Sequence, residues 1–169
     1  RCTGEINVNG QIFKCHKHEG HGVLNMKQAM AESCNPYFIS LGLKLNKEKM
    51  YQMAKDLSFS KTMELAPGFS PQSGYLPTIK ELFNPADVAN FSFGQGLLMA
   101  TPIQLTQMMC SIVNGGKTPS PKLVEGLSQD GKTLFNSSQS SAAIDAMKPE
   151  TAAQIKSFLV YSVMNKANQ

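Results

Sequence analysis

The stretch Ser33-Cys34-Asn35-Pro36 separates two short amphipathic segments, and the rest of the chain is best understood outward from it. Proline is favoured at the start of a helix and moves the residue before it out of the α region. The sequence therefore predicts a tight corner between two helices, which carries a hydroxyl and a carboxamide on constrained backbone. A simpler interpretation is that Ser33 ends the first helix and Asn35 only caps the second.

The segment before the corner predicts which way Ser33 points. Asn25 and Gln28 have the spacing of a capping box, so a helix should begin there. Positions along it recur at i, i+3, i+4 and i+7, and Ser33 completes the series. We therefore expect Ser33 to continue the apolar face inward, over a core or a cleft. The members of the series are Met26, Ala29, Met30 and Ser33.

Composition limits what the chain does. With 169 residues, 41% of them hydrophobic, it can bury one sizeable core with a smaller lobe. Its net charge of +4 comes from scattered lysines without an arginine-rich stripe, so we expect no nucleic-acid partner. No run approaches the roughly 18 apolar residues that a membrane span needs. The chain begins with Arg1, and we expect it to be a segment of a longer protein.

The four cysteines allow two interpretations. Asn9-Gly10 is a strong hairpin signal, and pairing Val8 with Gln11 across it places Cys15 near Cys2 at the strand ends. A Cys2–Cys15 disulfide is compatible with this register but is not required by it.

The other interpretation is a zinc loop that uses Cys15, His18 and His21. Its ligands are crowded and no second ligand pair follows at finger spacing, so we predict no metal ligand and no cofactor. A small zinc-stabilised domain stays as an alternative.

Further helices follow the corner. A second helix should contain Tyr37 and Leu41, and a third should span residues 47–57. Residues 60–88 lack periodicity and are expected to be irregular. Thr101-Pro102-Ile103-Gln104 begins another helix, which should end at Asn114-Gly115-Gly116. The residues that this helix is expected to bury are Leu105, Met109, Ile112 and Val113.

The last part of the chain predicts a little β structure and a long helix. Two short strands, around residues 123–124 and 133–135, should be joined by Asp130-Gly131. Pro149-Glu150 then begins a long helix. The face predicted to be apolar consists of Ile155, Phe158, Leu159, Ser162 and Val163.

The ordered motifs together resemble the transpeptidase domain of a class B (monofunctional) penicillin-binding protein. The resemblance covers nearly the whole chain, although Ser58-Phe59-Ser60 replaces the family's frequent Gly-aromatic-Gly. The motifs that carry it are a cysteine-containing hairpin, His21-Gly22, Ala29-Met30-Ala31-Glu32-Ser33-Cys34-Asn35-Pro36-Tyr37-Phe38, Gly94-Gln95-Gly96, Thr101-Pro102-Ile103-Gln104-Leu105 and Asn114-Gly115-Gly116.

The resemblance implies a mostly α fold with a small β component. This is the helical lobe of the penicillin-binding-protein/serine β-lactamase-like transpeptidase fold, truncated at both ends. Residues 1–169 would form a partial transpeptidase domain. Its expected parts are a β-hairpin at 1–19, the helical lobe with Ser-x-Asn at 24–116, short strands at 117–136 and a C-terminal helix at 148–168.

The family's chemistry uses the motifs Ser-x-x-Lys, Ser-x-Asn and Lys-Thr-Gly. The resemblance implies that Ser33 relays a proton between the lysine of the first motif and the leaving or entering amine. Asn35 would orient an amide of the donor substrate and steady that lysine, while Cys34 would pack. Gln95 is a tentative residue of the substrate cleft.

Two of the three motifs are expected outside this chain. Ser58-Phe59-Ser60-Lys61 fits Ser-x-x-Lys, but it follows Ser33 instead of preceding it, so we interpret it as a chance match. Gly116-Lys117-Thr118-Pro119 likewise only mimics the third motif. We expect the nucleophile before Arg1 and the Lys-Thr-Gly strand beyond Gln169, and an isolated chain without activity.

The resemblance also implies partners and a location. The partners would be peptidoglycan stem peptides, β-lactams and other cell-wall synthesis proteins, with self-association of the isolated chain. The parent would lie at the extracytoplasmic face of the bacterial cell membrane, anchored by a segment outside this chain. The alternative is a non-catalytic binding module that docks a partner through Gly94-Gln95-Gly96 and the 60–88 loop.

Overall fold

The computed structural model describes residues 1–66, 68–124, 126–128, 131, 135–136 and 143–166. Helices predominate, as predicted. The helices are α1 (Met26–Ala31), α2 (Asn35–Gly42), α3 (Lys47–Asp56), a 3₁₀ turn (Glu81–Phe83), α4 (Pro85–Ser92), α5 (Pro102–Val113) and α6 (Pro149–Lys166). The strands are β1 (Glu5–Val8), β2 (Gln11–Lys14), β3 (Lys117–Thr118), β4 (Gly126–Leu127), β5 (Phe135–Asn136) and β6 (Ile144–Asp145).

The chain forms two compact units. The first contains Arg1–Gln52, Leu76–Leu98 and Ala153–Gln169, and the second contains Met53–Tyr75 and Met99–Ala152. Each unit is assembled from segments that are distant in sequence.

The first unit is built on the N-terminal hairpin. Strands β1 and β2 are antiparallel with Val8 opposite Gln11, which is the predicted register. The hairpin contacts α2 and α4 through a core of Val8, Phe13, Ile39 and Ala89. Helices α2 and α4 approach closely at Gly42, where an added Cβ would lie 1.8 Å from the Ser92 Oγ. Since no larger side chain fits there, Gly42 sets the distance between the two helices.

Helix α4 is an element that the sequence analysis missed, because the irregular region was extended to residue 88. The structure places the 3₁₀ turn and the first half of α4 there. Asn84 caps α4 by accepting a hydrogen bond from the Ala86 amide, and Pro85 follows it. The dipeptide Asn84-Pro85 was the available signal, since asparagine followed by proline is a common helix start.

The second unit is built on α5, whose start was predicted correctly. Thr101 and Gln104 form the capping box. The prediction of the buried face was wrong except at Ile112. Leu105, Met109 and Val113 are 43–55% exposed. The side chains that α5 buries instead are Gln104, Gln107, Ser111 and Ile112.

The buried position of Gln104 has a physical reason. Its Nε2 donates to the Ser58 carbonyl over 3.1 Å, and its Oε1 accepts from the amides of Gly74 and Thr101 over 3.3 and 2.9 Å. The amide group thus satisfies backbone groups of two irregular segments and of the helix start. A buried polar side chain is stable when it is paired in this way.

Substituting alanine at Gln104 should therefore destabilise the second unit. Gln104→Ala, at a fully buried position, takes the side-chain acceptor away from the Gly74 and Thr101 amides and leaves the Ser58 carbonyl with only the Lys61 amide as donor. We expect a loss of about 3 kcal/mol in the free energy of unfolding. Urea denaturation followed by circular dichroism measures it. Gln154→Ala, on an exposed position of α6, is the control and should change stability by less than about 0.5 kcal/mol. Equal midpoints for the two variants would contradict this role.

The predicted β structure is present but shifted. Residues 123–124 are not a strand. Strand β4 begins at Gly126, three residues after the predicted start at 123, and pairs with β5. Asp130, Thr133 and Leu134 lie outside the described residues.

The predicted face of α6 is partly buried at four positions, whereas Val163 is 68% exposed. Within the described part of the chain, no helix has the length and apolar character needed to cross a bilayer.

Candidate functional site

The predicted corner joins α1 to α2. Helix α1 ends at Ala31, Glu32 is its C-cap, and Ser33 has a φ of 49°, in the left-handed region. Ser33 is exposed, so the prediction that it faces inward over a core was wrong, whereas a place beside a cleft stays a prediction. The reason is that Ser33 lies beyond the helix, where the helical period no longer determines its direction. Its hydroxyl is accessible from outside.

Asn35 begins α2 without capping it. Cys34 occupies the cap position and makes no side-chain cap bond. The Asn35 Nδ2 donates to the Lys14 carbonyl over 3.2 Å, which ties the corner to the end of β2. The capping interpretation of Asn35 was therefore wrong, and the hairpin holds its carboxamide through Nδ2.

Gln95 lies on the loop after α4 and is exposed. The backbone N–H of Gln95 donates to the Asn90 carbonyl over 2.9 Å, and both flanking glycines have positive φ. This loop and the Ser33–Asn35 corner belong to the same unit. The backbone fixes the loop, while the Gln95 side chain extends into solvent.

Behind the corner, four side chains converge that the sequence analysis did not group. The Sγ atoms of Cys2, Cys15 and Cys34 and a ring nitrogen of His21 all lie within 4.8 Å of one another. All four cysteines are free thiols, so no Cys2–Cys15 disulfide is present. The zinc loop considered from sequence shares only two members with this cluster, since His18 is exposed and outside it.

The backbone holds the cluster from both sides. Cys2 and Gly22 exchange hydrogen bonds of 2.7 and 2.9 Å, and the Cys15 amide donates to the Gly4 carbonyl over 2.7 Å. A Cβ at Gly20 would lie 2.4 Å from the Cys2 carbonyl oxygen, so only glycine fits this close approach. The cysteines are also buried, with Cys34 fully inaccessible. The ligand positions are thus built into the fold.

The electrostatics of the thiols differ. Burial would raise the pKa of Cys2, but hydrogen bonds from the His21 and Gly4 backbone lower it to about 6. Burial raises the pKa of Cys34 to about 12, and the nearby charge of Cys2 and Cys15 adds to this. The surroundings thus favour the thiolate at Cys2 and disfavour it at Cys34.

The literal matches to the other two motifs have structural explanations. Ser58 is 1% exposed, so its hydroxyl is not accessible to a substrate. Thr118 is also buried and donates to the Asp56 carbonyl over 3.1 Å, while the Lys117 Nζ lies 2.9 Å from Asp145. These observations support the interpretation of both matches as chance.

Comparison with known sequences gives a consistent result. The family described as "Penicillin binding protein transpeptidase domain" matches residues 2–169. "Stage V sporulation protein D" of Bacillus subtilis is 30% identical over 154 residues, which cover 90% of this chain and 23% of that protein. "Peptidoglycan D,D-transpeptidase MrdA" of Salmonella typhimurium is 27% identical over 128 residues, 72% of this chain and 20% of that protein. The chain thus spans about a quarter of the curated relatives it matches.

Solved structures show the same fold. The D,D-transpeptidase domain of a peptidoglycan glycosyltransferase from Eggerthella lenta superposes with a TM-score of 0.86 at 20% identity, over 98% of this chain and 43% of that chain. A penicillin G acyl-enzyme complex of penicillin-binding protein A from M. tuberculosis gives 0.84 at 19% identity, over 96% of this chain and 38% of that chain.

Proposed function

Because this chain belongs to the penicillin-binding-protein transpeptidase family, we propose that it is part of a peptidoglycan D,D-transpeptidase and supplies Ser33 and Asn35 to its active site. The observation that carries the proposal is the exposed Ser33 on the corner between α1 and α2, next in sequence but one to an Asn35 carboxamide that the hairpin holds. The relatives described as D,D-transpeptidases support the reaction class.

In the proposed reaction, a serine nucleophile outside residues 1–169 attacks the carbonyl of the penultimate D-alanine in a stem peptide. The terminal D-alanine leaves, and an amine of a second stem then attacks the acyl-enzyme to form the cross-link. Ser33 passes the proton between the catalytic lysine and the amine, for which a hydroxyl is suited because it donates and accepts. Asn35 orients the donor amide, and Gln95 contributes to the cleft.

A β-lactam imitates the acyl donor and acylates the same nucleophile. The complexes of structural neighbours with β-lactams support this part of the proposal. We further propose that the whole protein acts outside the cytoplasmic membrane, where its substrate lies, with other cell-wall synthesis proteins. The alternatives of a non-catalytic module and of a zinc domain unrelated to transpeptidation are not favoured.

A fluorescent penicillin tests the proposal. It should be applied to this 169-residue chain and to a form extended at both ends to the family's domain limits. Labelling of the extended form alone is expected, since the chain carries Ser-x-Asn without a usable nucleophile. Labelling of neither form would support the non-catalytic module instead, and labelling of the short chain would show that Ser58 was wrongly dismissed.

The cysteine cluster supports a second function, metal binding. We propose that Cys2, Cys15, His21 and Cys34 bind one Zn²⁺, which is the donor set of closed structural zinc sites. Ligands around zinc with Zn–S bonds of about 2.3 Å lie about 3.8 Å apart, so a small contraction of the cluster suffices. The earlier expectation of no metal ligand stays a prediction, and this geometry argues against it.

Bound zinc would act on the corner directly. Cys34 lies between Ser33 and Asn35, so a ligand bond to its sulfur fixes the backbone that presents both side chains. Cys2 and Cys15 flank the two strands of the N-terminal hairpin. Lys14, the last residue of β2, also holds Asn35 through its carbonyl. The zinc site is therefore a structural support for the transpeptidase site.

A further inference from the structure

We propose that Glu32 is a positioning residue, whose carboxylate orients the His21 imidazole for zinc by accepting a hydrogen bond from the Nε2–H of His21. The inference rests on the proposed zinc site and names a residue outside the four ligands. It is based on the buried Nε2 atom of His21, which has no hydrogen-bond partner among the proposed zinc ligands.

The two ring nitrogens of His21 have different surroundings. Nδ1 lies 3.5 Å from the Cys15 Sγ and faces the cluster. Nε2 is buried and has no hydrogen-bond partner among the described residues, and the side chain as a whole is 3% exposed. A buried ring nitrogen without a partner is costly, so this arrangement indicates a partner that is close but not yet engaged.

The Glu32 carboxylate is that partner. Its Oε2 lies 3.7 Å from His21 Nε2, just beyond hydrogen-bond distance, and its side chain is 40% exposed. When Nδ1 binds a metal ion, the single proton of the neutral imidazole lies on Nε2 and needs an acceptor. A small rotation of either side chain brings the carboxylate within reach. Carboxylates commonly orient metal-bound histidines in this way.

The position of Glu32 gives this contact a second consequence. Glu32 is the C-cap of α1 and directly precedes Ser33, and its amide donates to the Gln28 carbonyl over 2.9 Å. The same four-residue run thus supplies an orienting carboxylate, the proposed proton relay, a zinc ligand and the substrate-orienting amide. The metal site and the Ser-x-Asn corner are held by one piece of backbone.

The test is a zinc-affinity measurement by competition with a chromophoric chelator, made on the 169-residue chain. Glu32→Ala removes the acceptor and should weaken zinc binding 10- to 100-fold. Glu32→Gln keeps an acceptor oxygen and should restore part of this affinity, which a loss of packing alone would not predict. Glu19→Gln, at an exposed position of the loop, is the matched control and should bind zinc like the unmodified chain.

Two further readouts separate the possible failures. Melting of the metal-free proteins should be the same for Glu32→Ala and the unmodified chain, because at 3.7 Å the Glu32 carboxylate makes no hydrogen bond to His21 without metal. Co²⁺ in place of zinc should give a tetrahedral thiolate spectrum that changes in Glu32→Ala. If the unmodified chain binds zinc and Glu32→Ala binds it equally tightly, the role of Glu32 is wrong and the zinc site stands. If the unmodified chain binds no zinc, both proposals fail, while the transpeptidase proposal is unaffected.

Discussion

Replacing Ser33 in the extended transpeptidase is expected to slow its acylation by a β-lactam by about 10²- to 10⁴-fold, the usual contribution of a group that transfers protons in a transition state. Two variants are needed because Ser33 has a positive φ. Ser33→Ala removes only the hydroxyl and keeps the Cβ that serine already places at this φ, whereas Ser33→Gly removes the hydroxyl together with a backbone strain of roughly 1–2 kcal/mol. Stopped-flow measurement of the acylation rate at several penicillin concentrations gives the effect.

The control is Ser157→Ala, because Ser157 is an exposed serine on α6, remote in sequence from the corner. It should acylate like the unmodified enzyme. Both Ser33 variants should be slow, and the glycine variant should keep its melting temperature. If Ser33→Gly acylates at the normal rate and only Ser33→Ala is slow, backbone geometry rather than the hydroxyl is responsible, and the proton relay is excluded.

Removing zinc should produce the largest change in stability. With free zinc at about 1,000 times its dissociation constant, binding contributes about 4 kcal/mol of stability. For a chain of this size that corresponds to a decrease of roughly 8–16 °C in melting temperature after treatment with a chelator. Returning zinc should restore the original value. Calorimetry or circular dichroism measures the transition, and elemental analysis gives the zinc content.

Single cysteine variants identify the site. Cys15→Ser should lose its zinc and melt like the chelated protein, because zinc then has one thiolate fewer in a closed site. Cys110→Ser is the matched control, since Cys110 lies on α5 and outside the cluster. A chain purified from zinc-containing medium with no bound metal, or equal loss from the two variants, would refute the assignment.

Local signals in the sequence predicted the local structure well. The hairpin register followed from Asn9-Gly10, and the start of α5 followed from Thr101 and Gln104, because turns and caps depend on a few neighbouring residues. The corner at Ser33–Pro36 was also placed correctly. The family assignment from the ordered motifs is confirmed, although the roles of Ser33, Asn35 and Gln95 stay predictions.

Contacts between distant segments were what the sequence did not reveal. Gln104 is buried because it pairs with backbone that lies 30 and 46 residues earlier, so the periodicity of α5 alone predicted the wrong face. The thiol cluster likewise joins three separate segments, and zinc ligands were sought only within the loop that contains His18. A search over all cysteines and histidines together would have included Cys2 and Cys34 among the candidate ligands.

The residue to which a β-lactam attaches tests the proposed transpeptidase role most directly. The extended protein should be acylated with penicillin, its intact mass measured, and the modified peptide identified by proteolysis and mass spectrometry. We predict one adduct for each molecule, on a serine outside residues 1–169, and a strongly reduced yield in Ser33→Gly at short reaction times. An adduct on Ser33 or Ser58, or an unmodified protein, would contradict the account.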